Sequence, residues 1–220
     1  MGIPERRERE KERRRVDIID AAEKVFFSKG IGQATMHDVA EAAELSKGTL
    51  YLYFKNKEDL YLAIILRGMA ILQAGFEAAV KSTEKGIDKV AAIGRAYFDF
   101  CDNHPDYVNA MLHYESRDAA ADPSGYASEC NAQGKDITAT CARAVQSGIE
   151  DGSIRGDVDP VRTALTLWGL STGVVQIIAT KGEMIKELHG IDPQDLTETF
   201  FDLINRALNP DGPAGRGGTR

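Results

Sequence analysis

The segment Thr35–Leu60 constrains the fold of this chain more than any other, because it predicts two short helices joined by a tight turn. The hydroxyl of Thr35 can cap the free backbone amides of a first helix, whose apolar residues follow at helical spacing. Ser46 occupies the same capping position for a second helix. On that helix Leu50 and Phe54 lie four residues apart, so both side chains face inward. The segment therefore predicts a helix-turn-helix unit.

Further helices are predicted on both sides of this unit. Upstream, the stretch VDIIDAAEKVFFSKG from Val16 places its apolar residues on one stripe and stops at Gly30, a residue type that commonly ends helices. Downstream, Asn56 is positioned to cap a long fourth helix that runs toward Gly86. The first three helices form a small head, and the fourth ties it to the rest of the chain.

The remainder of the chain lacks strand alternation and shows helical stripes separated by Gly, Pro, Asp or Asn. Proline at the start of several stripes is favourable, because the amide it lacks would be unpaired in a first helical turn. We expect helices over residues 87–103, 105–116, 124–150, 160–181 and 193–208.

The predicted fold class is all-α, with an N-terminal three-helix helix-turn-helix domain followed by a helical bundle. The head, with a charged N-terminal arm, is expected over residues 1–56. The bundle is expected over residues 57–208, and a disordered tail over residues 209–220.

The net charge of −7 does not at first suggest binding to nucleic acid, which usually requires a basic surface. The charge is unevenly distributed, however. Residues 1–60 contain 12 Lys+Arg and 12 Asp+Glu, so all the excess acid lies further along the chain. Residues 1–15 carry seven arginines and lysines against four glutamates. Two interpretations of this arm stay open: a solvated helix with internal Glu–Arg pairs, or an arm that binds phosphates.

Other classes of protein are disfavoured by what the sequence lacks. No apolar run is close to the roughly 20 residues of a membrane span. The start MGIPERRERE has no signal-peptide core, so we expect a cytoplasmic location and no membrane partner. Cys101, Cys130 and Cys141 are odd in number and far apart, which disfavours a disulfide framework or zinc site. No catalytic, metal-binding or phosphate-loop motif is present, and we expect neither an enzyme nor a cofactor.

A set of small, aromatic and polar residues runs through the head at fixed spacing: Thr35, Val39, Ala40, Ala43, Leu45, Ser46, Gly48, Thr49, Leu50, Tyr51, Tyr53, Phe54, Lys57 and Leu60. In this arrangement the head resembles the DNA-binding signature of the TetR/AcrR family of transcriptional regulators. The resemblance covers about the first quarter of the chain closely, and the rest only in its length and helical character.

One position departs from the family pattern. Members of the family usually have Gly in the turn between the two short helices, where this chain has Glu44. A non-glycine residue held at positive φ costs about 1–2 kcal/mol. Either the turn is strained at Glu44 or it follows a slightly different path.

In a helix-turn-helix the second helix lies in the major groove with its first residues at base edges, while the flanking parts contact phosphates. By position, supported by the resemblance, the residues assigned to the groove are Lys47, Gly48, Thr49 and Tyr53. Those assigned to phosphates are Thr35, His37, Ser46, Tyr51, Lys55 and Lys57. A purely structural alternative remains for several of them, since Thr35 and Ser46 would cap helices in any protein.

The bundle has two predicted roles. Residues 160–181 are apolar almost all round, and with residues 193–208 they resemble the helices that pair with a second copy in TetR-like dimers. The resemblance also implies a pocket for an unidentified small-molecule inducer. Candidate lining residues are Tyr97, Phe98, Cys101, Met111, Tyr114 and Trp168, although aromatic residues and Met at helical spacing more often form plain core.

Together these features predict a ligand-responsive repressor that binds a palindromic, double-stranded DNA operator as a homodimer. The expected ligand is a small apolar or aromatic molecule that releases the protein from DNA. The alternative is a DNA-bound adaptor or activator that recruits a protein partner without a small-molecule inducer.

Overall fold

The computed structural model describes residues 3–115 and 125–210. Within those ranges the chain forms nine α-helices and no strand, as the predicted all-α fold class requires. The helices are α1 (Ile3–Gln33), α2 (Met36–Ala42), α3 (Lys47–Tyr51), α4 (Lys57–Lys81), α5 (Gly86–Asn103), α6 (Pro105–Glu115), α7 (Tyr126–Glu150), α8 (Pro160–His189) and α9 (Asp195–Leu208).

Local sequence signals explain most of the helix ends. In α1 the backbone leaves the helical conformation at Gly30, where φ is 74°, as expected for the end of its apolar stripe. Asn56 Oδ1 accepts a hydrogen bond of 2.7 Å from the Asp59 amide and so caps α4. Asp159 caps α8 by accepting a hydrogen bond from the Arg162 amide at 2.8 Å.

Two of the predicted ends are displaced. Helix α4 stops at Lys81, before Gly86, and α8 continues eight residues beyond the expected end at residue 181. Helix α8 ends only where Gly190 takes a left-handed conformation, with φ at 66°. Gly182, the residue after the expected end, does not stop α8, because it stays helical and the residues that follow it are mostly good helix formers.

The chain divides into two compact units. The first contains Met1–Ala70 and Asp106–Gln133, and the second contains Ile71–Pro105 and Gly134–Arg220. We call them the first unit and the second unit. The first unit includes the whole predicted head, but it also takes in α6 and the beginning of α7. Helices α4 and α7 each pass from one unit into the other.

The first unit is built around a single apolar core. Its most deeply buried large side chains include Ile18 from α1, Val39 from α2, Leu50 and Phe54 around α3, and Ile64 from α4. Helices as short as α2 and α3 are marginal in isolation, so this tertiary burial is what stabilises them.

The second unit has an aromatic core between α5 and α9. Phe98 makes edge contacts with Phe200 and Phe201 at centroid distances of 5.5 and 5.7 Å. The close approach of Gly86 to Gly148 joins α5 to α7, since an added Cβ on Gly86 would meet the Gly148 amide nitrogen at 1.9 Å. A larger residue at Gly86 would therefore force these helices apart.

Two helices have the length and hydropathy of membrane spans, α4 and α8. The expectation that no stretch approached such a length was therefore wrong for both. This similarity is weak evidence for a membrane, because core helices of soluble proteins pass the same test.

Candidate DNA-binding site

The start of α2 is fixed by a reciprocal pair of hydrogen bonds between Thr35 and Asp38. The Asp38 amide donates to the Thr35 hydroxyl oxygen at 3.2 Å, and the Thr35 amide donates to the Asp38 carboxylate at 2.9 Å. The predicted cap at Thr35 is thus confirmed and forms a complete capping box. The capping does not exclude a phosphate contact by Thr35, which stays a prediction.

The Asp38 carboxylate also holds α1 against α2. Lys29 Nζ lies 2.9 Å from Asp38 Oδ1, and this hydrogen bond, followed by those from Thr35, lowers the pKa of Asp38 to about 2. The carboxylate is consequently ionised throughout the physiological range.

The turn after α2 contains Glu44, the residue that departs from the family pattern. Its φ is 55°, and it is the one non-glycine residue with positive φ in the described part of the chain. Its amide donates to the Glu41 carbonyl at 3.1 Å, and the Leu45 amide donates to the Ala40 carbonyl at 2.8 Å. This pair of bonds is a Schellman motif, in which the left-handed position usually belongs to Gly. Of the two alternatives that the sequence left open, the structure has the left-handed conformation at Glu44.

Helix α3 begins at a cap, as predicted from Ser46. The Thr49 amide donates to the Ser46 hydroxyl at 3.1 Å, and the two hydroxyls lie 2.9 Å apart. Leu50 is completely buried, and the Phe54 amide donates to the Leu50 carbonyl at 3.1 Å. This anchoring orients the opposite side of α3 toward solvent, and we call α3 the reading helix.

Several predicted groove residues lie on that solvent side. Lys47 and Gly48 are exposed, and Gly48 has only the Ser46 hydroxyl near the place of a Cβ, at 3.8 Å. Tyr51, which was assigned to phosphates, is 51% exposed on the same helix. Tyr53 is partly buried against the core, which limits how far its ring can reach into a groove. The predicted groove residues are thus brought to one short helix and the turn that follows it.

The residues assigned to phosphates do not all have free side chains. His37 and Lys55 are exposed. Lys57 instead points its ammonium group into the head, where Nζ donates to the Ile31 carbonyl at 2.6 Å and the Ala34 carbonyl at 3.1 Å. Those carbonyls lie where α1 ends, so Lys57 joins α4 to the α1–α2 connection.

Three residues near the reading helix escaped the sequence predictions. Leu52, at the C-terminal cap of α3, is 80% exposed. Arg15 and Tyr126 form a cluster with Phe54: the Phe54 and Tyr126 rings are stacked 6.0 Å apart, and the Arg15 guanidinium lies about 5 Å from both. In the sequence, the only sign of a role for Leu52 is its position directly after the proposed reading helix. Nothing in the sequence links Tyr126 to the head.

The six candidate ligand-binding residues are divided between the two units. Met111 and Tyr114 pack against the core of the first unit. Within the second unit the Tyr97 hydroxyl lies 3.1 Å from that of Thr172, and Cys101 is buried. Burial raises the pKa of the Cys101 thiol to about 11, which keeps it protonated at neutral pH.

Trp168 and Phe98 differ sharply within the second unit. Phe98 is buried in the aromatic core, whereas Trp168 is 50% exposed on α8. That exposure favours a surface role for Trp168 over one in a cavity wall. One open groove, of about 460 Å³, lies at the end of α8 and is lined by residues between Ile178 and Gln194. None of the six candidates lines it.

Helix α8 is less buried than its apolar sequence suggests. Its buried residues include only small ones, Ala164, Ser171 and Gly182. Large apolar side chains remain exposed along it, and Leu170, Ile177 and Met184 repeat every seven residues on one side.

Comparison with known proteins places these features in a family. Residues 18–64 match the family model described as bacterial regulatory proteins of the tetR family. Residues 90–206 match the model described as the tetracyclin repressor-like C-terminal domain.

Individual relatives agree with this match. The HTH-type transcriptional activator FasR of Mycolicibacterium smegmatis is 32% identical over 135 residues, which cover 61% of this chain and 58% of FasR. SmeT, the repressor of the Stenotrophomonas maltophilia multidrug efflux pump SmeDEF, superimposes with a TM-score of 0.68 at 21% identity, covering 94% of this chain and 95% of SmeT.

A further solved structure shares the fold. FadR from Bacillus subtilis, in complex with stearoyl-CoA, has a TM-score of 0.65 at 21% identity and covers 86% of this chain and 96% of its own. The two family models together match the helix-turn-helix and most of the helical region that follows it. The chain therefore belongs to the TetR family and is a DNA-binding transcriptional regulator.

Proposed function

We propose that this regulator is a homodimeric repressor that binds a two-fold symmetric operator and leaves it when a small apolar molecule binds. The observation that carries the DNA part is the reading helix, which is capped at Ser46, anchored by Leu50 and exposed at Lys47, Gly48 and Tyr51. Such a helix can enter a major groove without rearrangement of the head.

The dimer is supported by the exposed side of α8. Leu170, Ile177 and Met184 form a seam with a repeat of seven residues, and Leu188 continues it one turn later. Leu203 on α9 is exposed as well. Exposed apolar patches of this kind mark interaction sites, and a seven-residue repeat suits pairing with another helix. A second copy of the same chain is the proposed occupant.

Dimerisation also explains how so small a head can achieve specific binding. Two symmetric reading helices contact half-sites one helical turn apart, about 34–36 Å, or a multiple of it. We expect wild-type protein to sediment as a dimer, and Ile177→Asp to sediment as a monomer, because it places a charge within the seam. The exposed residue Glu183 provides the matched control, Glu183→Asp, which should remain dimeric. A dimeric Ile177→Asp variant would contradict the proposed interface.

DNA binding is tested by selection from a random duplex library with the full chain. The expected product is an inverted repeat, bound more tightly than random DNA at physiological salt. Failure to enrich any sequence would overturn operator recognition.

For the ligand we propose an acyl thioester or another molecule with a long apolar part. The second unit has an aromatic core of Phe98, Phe200 and Phe201, which is the apolar environment that an acyl chain would have to enter. Stearoyl-CoA is bound by B. subtilis FadR, which shares the fold. Added to the protein–operator complex, stearoyl-CoA should weaken binding by about 5- to 150-fold if the coupling is of ordinary size. Free CoA is the control for the apolar part.

Activation is the second candidate function, because FasR, at 32% identity, is an activator. In vitro transcription from a promoter that carries the selected operator distinguishes the two. A repressor lowers transcript when protein is added, whereas an activator raises it. An adaptor without an inducer would respond to none of the ligands tested.

The relatives compared are transcriptional regulators, and no catalytic role is proposed for this chain. We propose a cytoplasmic location, because the operator would be there.

A further inference from the structure

A cluster of three side chains connects parts of the first unit that are far apart in sequence. It consists of Arg15 in α1, Phe54 just after the reading helix, and Tyr126 at the start of α7. The Phe54 and Tyr126 rings are stacked with their planes 14° apart. Arg15 Nε donates to the Tyr126 hydroxyl at 2.5 Å, and its guanidinium carbon lies 5.3 Å from the centre of the Phe54 ring and 5.1 Å from that of Tyr126.

Each member of the cluster fixes a different element. Phe54 is completely buried and its backbone amide is bonded to Leu50, so its ring follows the orientation of the reading helix. Arg15 is the last of the seven arginines and lysines of the N-terminal arm, and those before it are exposed. Tyr126 is buried, and Gly125, at a φ of 64°, turns the chain into α7 immediately before it.

The cluster commits the Arg15 guanidinium to protein contacts. One of its N–H groups donates a hydrogen bond to the Tyr126 hydroxyl. Its charge lies beside two aromatic rings, where cation–π attraction generally contributes about 0.5–2 kcal/mol. Arg15 therefore acts as the anchor of the arm, whereas the exposed arginines before it are available to phosphates.

We propose that Tyr126 is a positioning residue for DNA binding, which holds the basic arm in a fixed place relative to the reading helix through Arg15 and Phe54. This inference rests on the proposed operator binding and assigns a role to a residue some 70 positions beyond the helix-turn-helix. It takes as its premise the second interpretation of the arm, in which the exposed arginines bind phosphates.

The inference is tested with the full chain on the selected operator, by measuring affinity between about 50 and 200 mM salt. Tyr126→Phe keeps the stacked ring and removes the acceptor of the Arg15 hydrogen bond. We expect operator binding to weaken about 2- to 10-fold, and the slope of log affinity against log salt to fall by about 1, since phosphate contacts are lost.

Two further variants separate positioning from simple stability. Tyr107→Phe is the matched control, because the Tyr107 hydroxyl donates a hydrogen bond to the Glu23 carboxylate in the same unit, away from the arm and Phe54. It should leave the salt slope unchanged. Arg15→Lys keeps the charge but not the flat guanidinium, so it should behave like Tyr126→Phe if Arg15 is an anchor, and like wild type if it only supplies charge.

A double-mutant cycle that combines Tyr126→Phe with substitutions in the basic arm completes the test. Arg6→Gln/Arg7→Gln/Arg9→Gln should lower the salt slope in wild-type protein, and should lower it clearly less in the Tyr126→Phe background. An unchanged slope for the arm variant, equal losses in Tyr126→Phe and Tyr107→Phe, or additive effects in the cycle would each overturn the inference while operator binding stands. Failure of wild type to select any operator would overturn both.

Discussion

Glu44 gives the sharpest test of how local backbone strain contributes to this structure. Its backbone lies at a φ of 55°, in the left-handed position of the Schellman motif that links α2 to the reading helix. The Glu44 side chain is exposed, so replacing it changes little packing. We therefore expect Glu44→Gly to stabilise the protein.

The magnitude follows from two opposing terms. The left-handed conformation costs a residue with a Cβ about 1–2 kcal/mol, and glycine removes that cost. Glycine in turn makes the unfolded chain more flexible, which costs about 0.4–1 kcal/mol. The midpoints of the two ranges give a net gain of about 0.8 kcal/mol. If the chain unfolds in one transition, 1 kcal/mol corresponds to a rise in Tm of about 2–4 °C.

Thermal unfolding followed by circular dichroism measures this shift, with chemical denaturation to obtain the free energy. Glu44→Ala is the matched control, because it removes the carboxylate but keeps the Cβ and its strain. Glu44→Asn should fall between Ala and Gly, since Asn tolerates the left-handed region better than most residues. A Tm for Glu44→Gly equal to or below wild type would refute the argument. So would an equal gain in Glu44→Ala, which would assign the effect to charge.

Three other expectations follow from the head. Lys57→Ala should lower the free energy of unfolding by about 1.5–3 kcal/mol, because it leaves the Ile31 and Ala34 carbonyls without their charged donor. If Lys57 also contacts phosphate, the slope of log operator affinity against log salt will fall by about 1. Exposed Lys55 is its comparison, since Lys55→Ala should lower the slope without lowering Tm, and an unchanged Tm for Lys57→Ala would contradict the structural role. Leu52→Ala should reduce the preference for thymine at one operator position, and replacing that thymine by deoxyuridine should weaken wild-type binding but not the variant's. The pKa of Asp38 is lowered in the folded state from 3.8 to about 2, so its contribution to stability is complete above about pH 4 and is lost as the pH falls toward 2. Asp38→Asn should therefore remove this part of the dependence of stability on acid pH. If the variant and wild type lose stability equally as the pH falls, the capping box is unimportant.

The sequence allowed most of the head to be predicted because its signals are local. Thr35 and Ser46 are followed by the residues they cap, and Leu50 and Phe54 reveal the inward side by their spacing. Glu44 stood out as the departure from the family's glycine, but the sequence left open whether the turn was strained there; the structure gives it a φ of 55°. In each case the interacting groups are fewer than six residues apart.

The roles of individual side chains were harder to predict. Lys57 has the charge and position expected of a phosphate ligand, but its ammonium group satisfies two backbone carbonyls more than 20 residues away. The candidate ligand-binding residues Tyr97 and Met111 fall in different compact units, although their helices are neighbours in sequence. Helical spacing identifies the apolar face of a helix without naming its partner.

The sequence by itself determined the all-α class and the capped helix-turn-helix, because these depend on short-range hydrogen bonding and periodicity, and it carried a resemblance to the TetR family. Only the tertiary structure decided that residues 106–133 belong with the head, that Tyr126 stacks on Phe54 beside Arg15, and that α8 keeps an apolar seam exposed. The physical reason is that packing and stacking act between surfaces brought together by the whole chain, and no local pattern specifies which surfaces will meet.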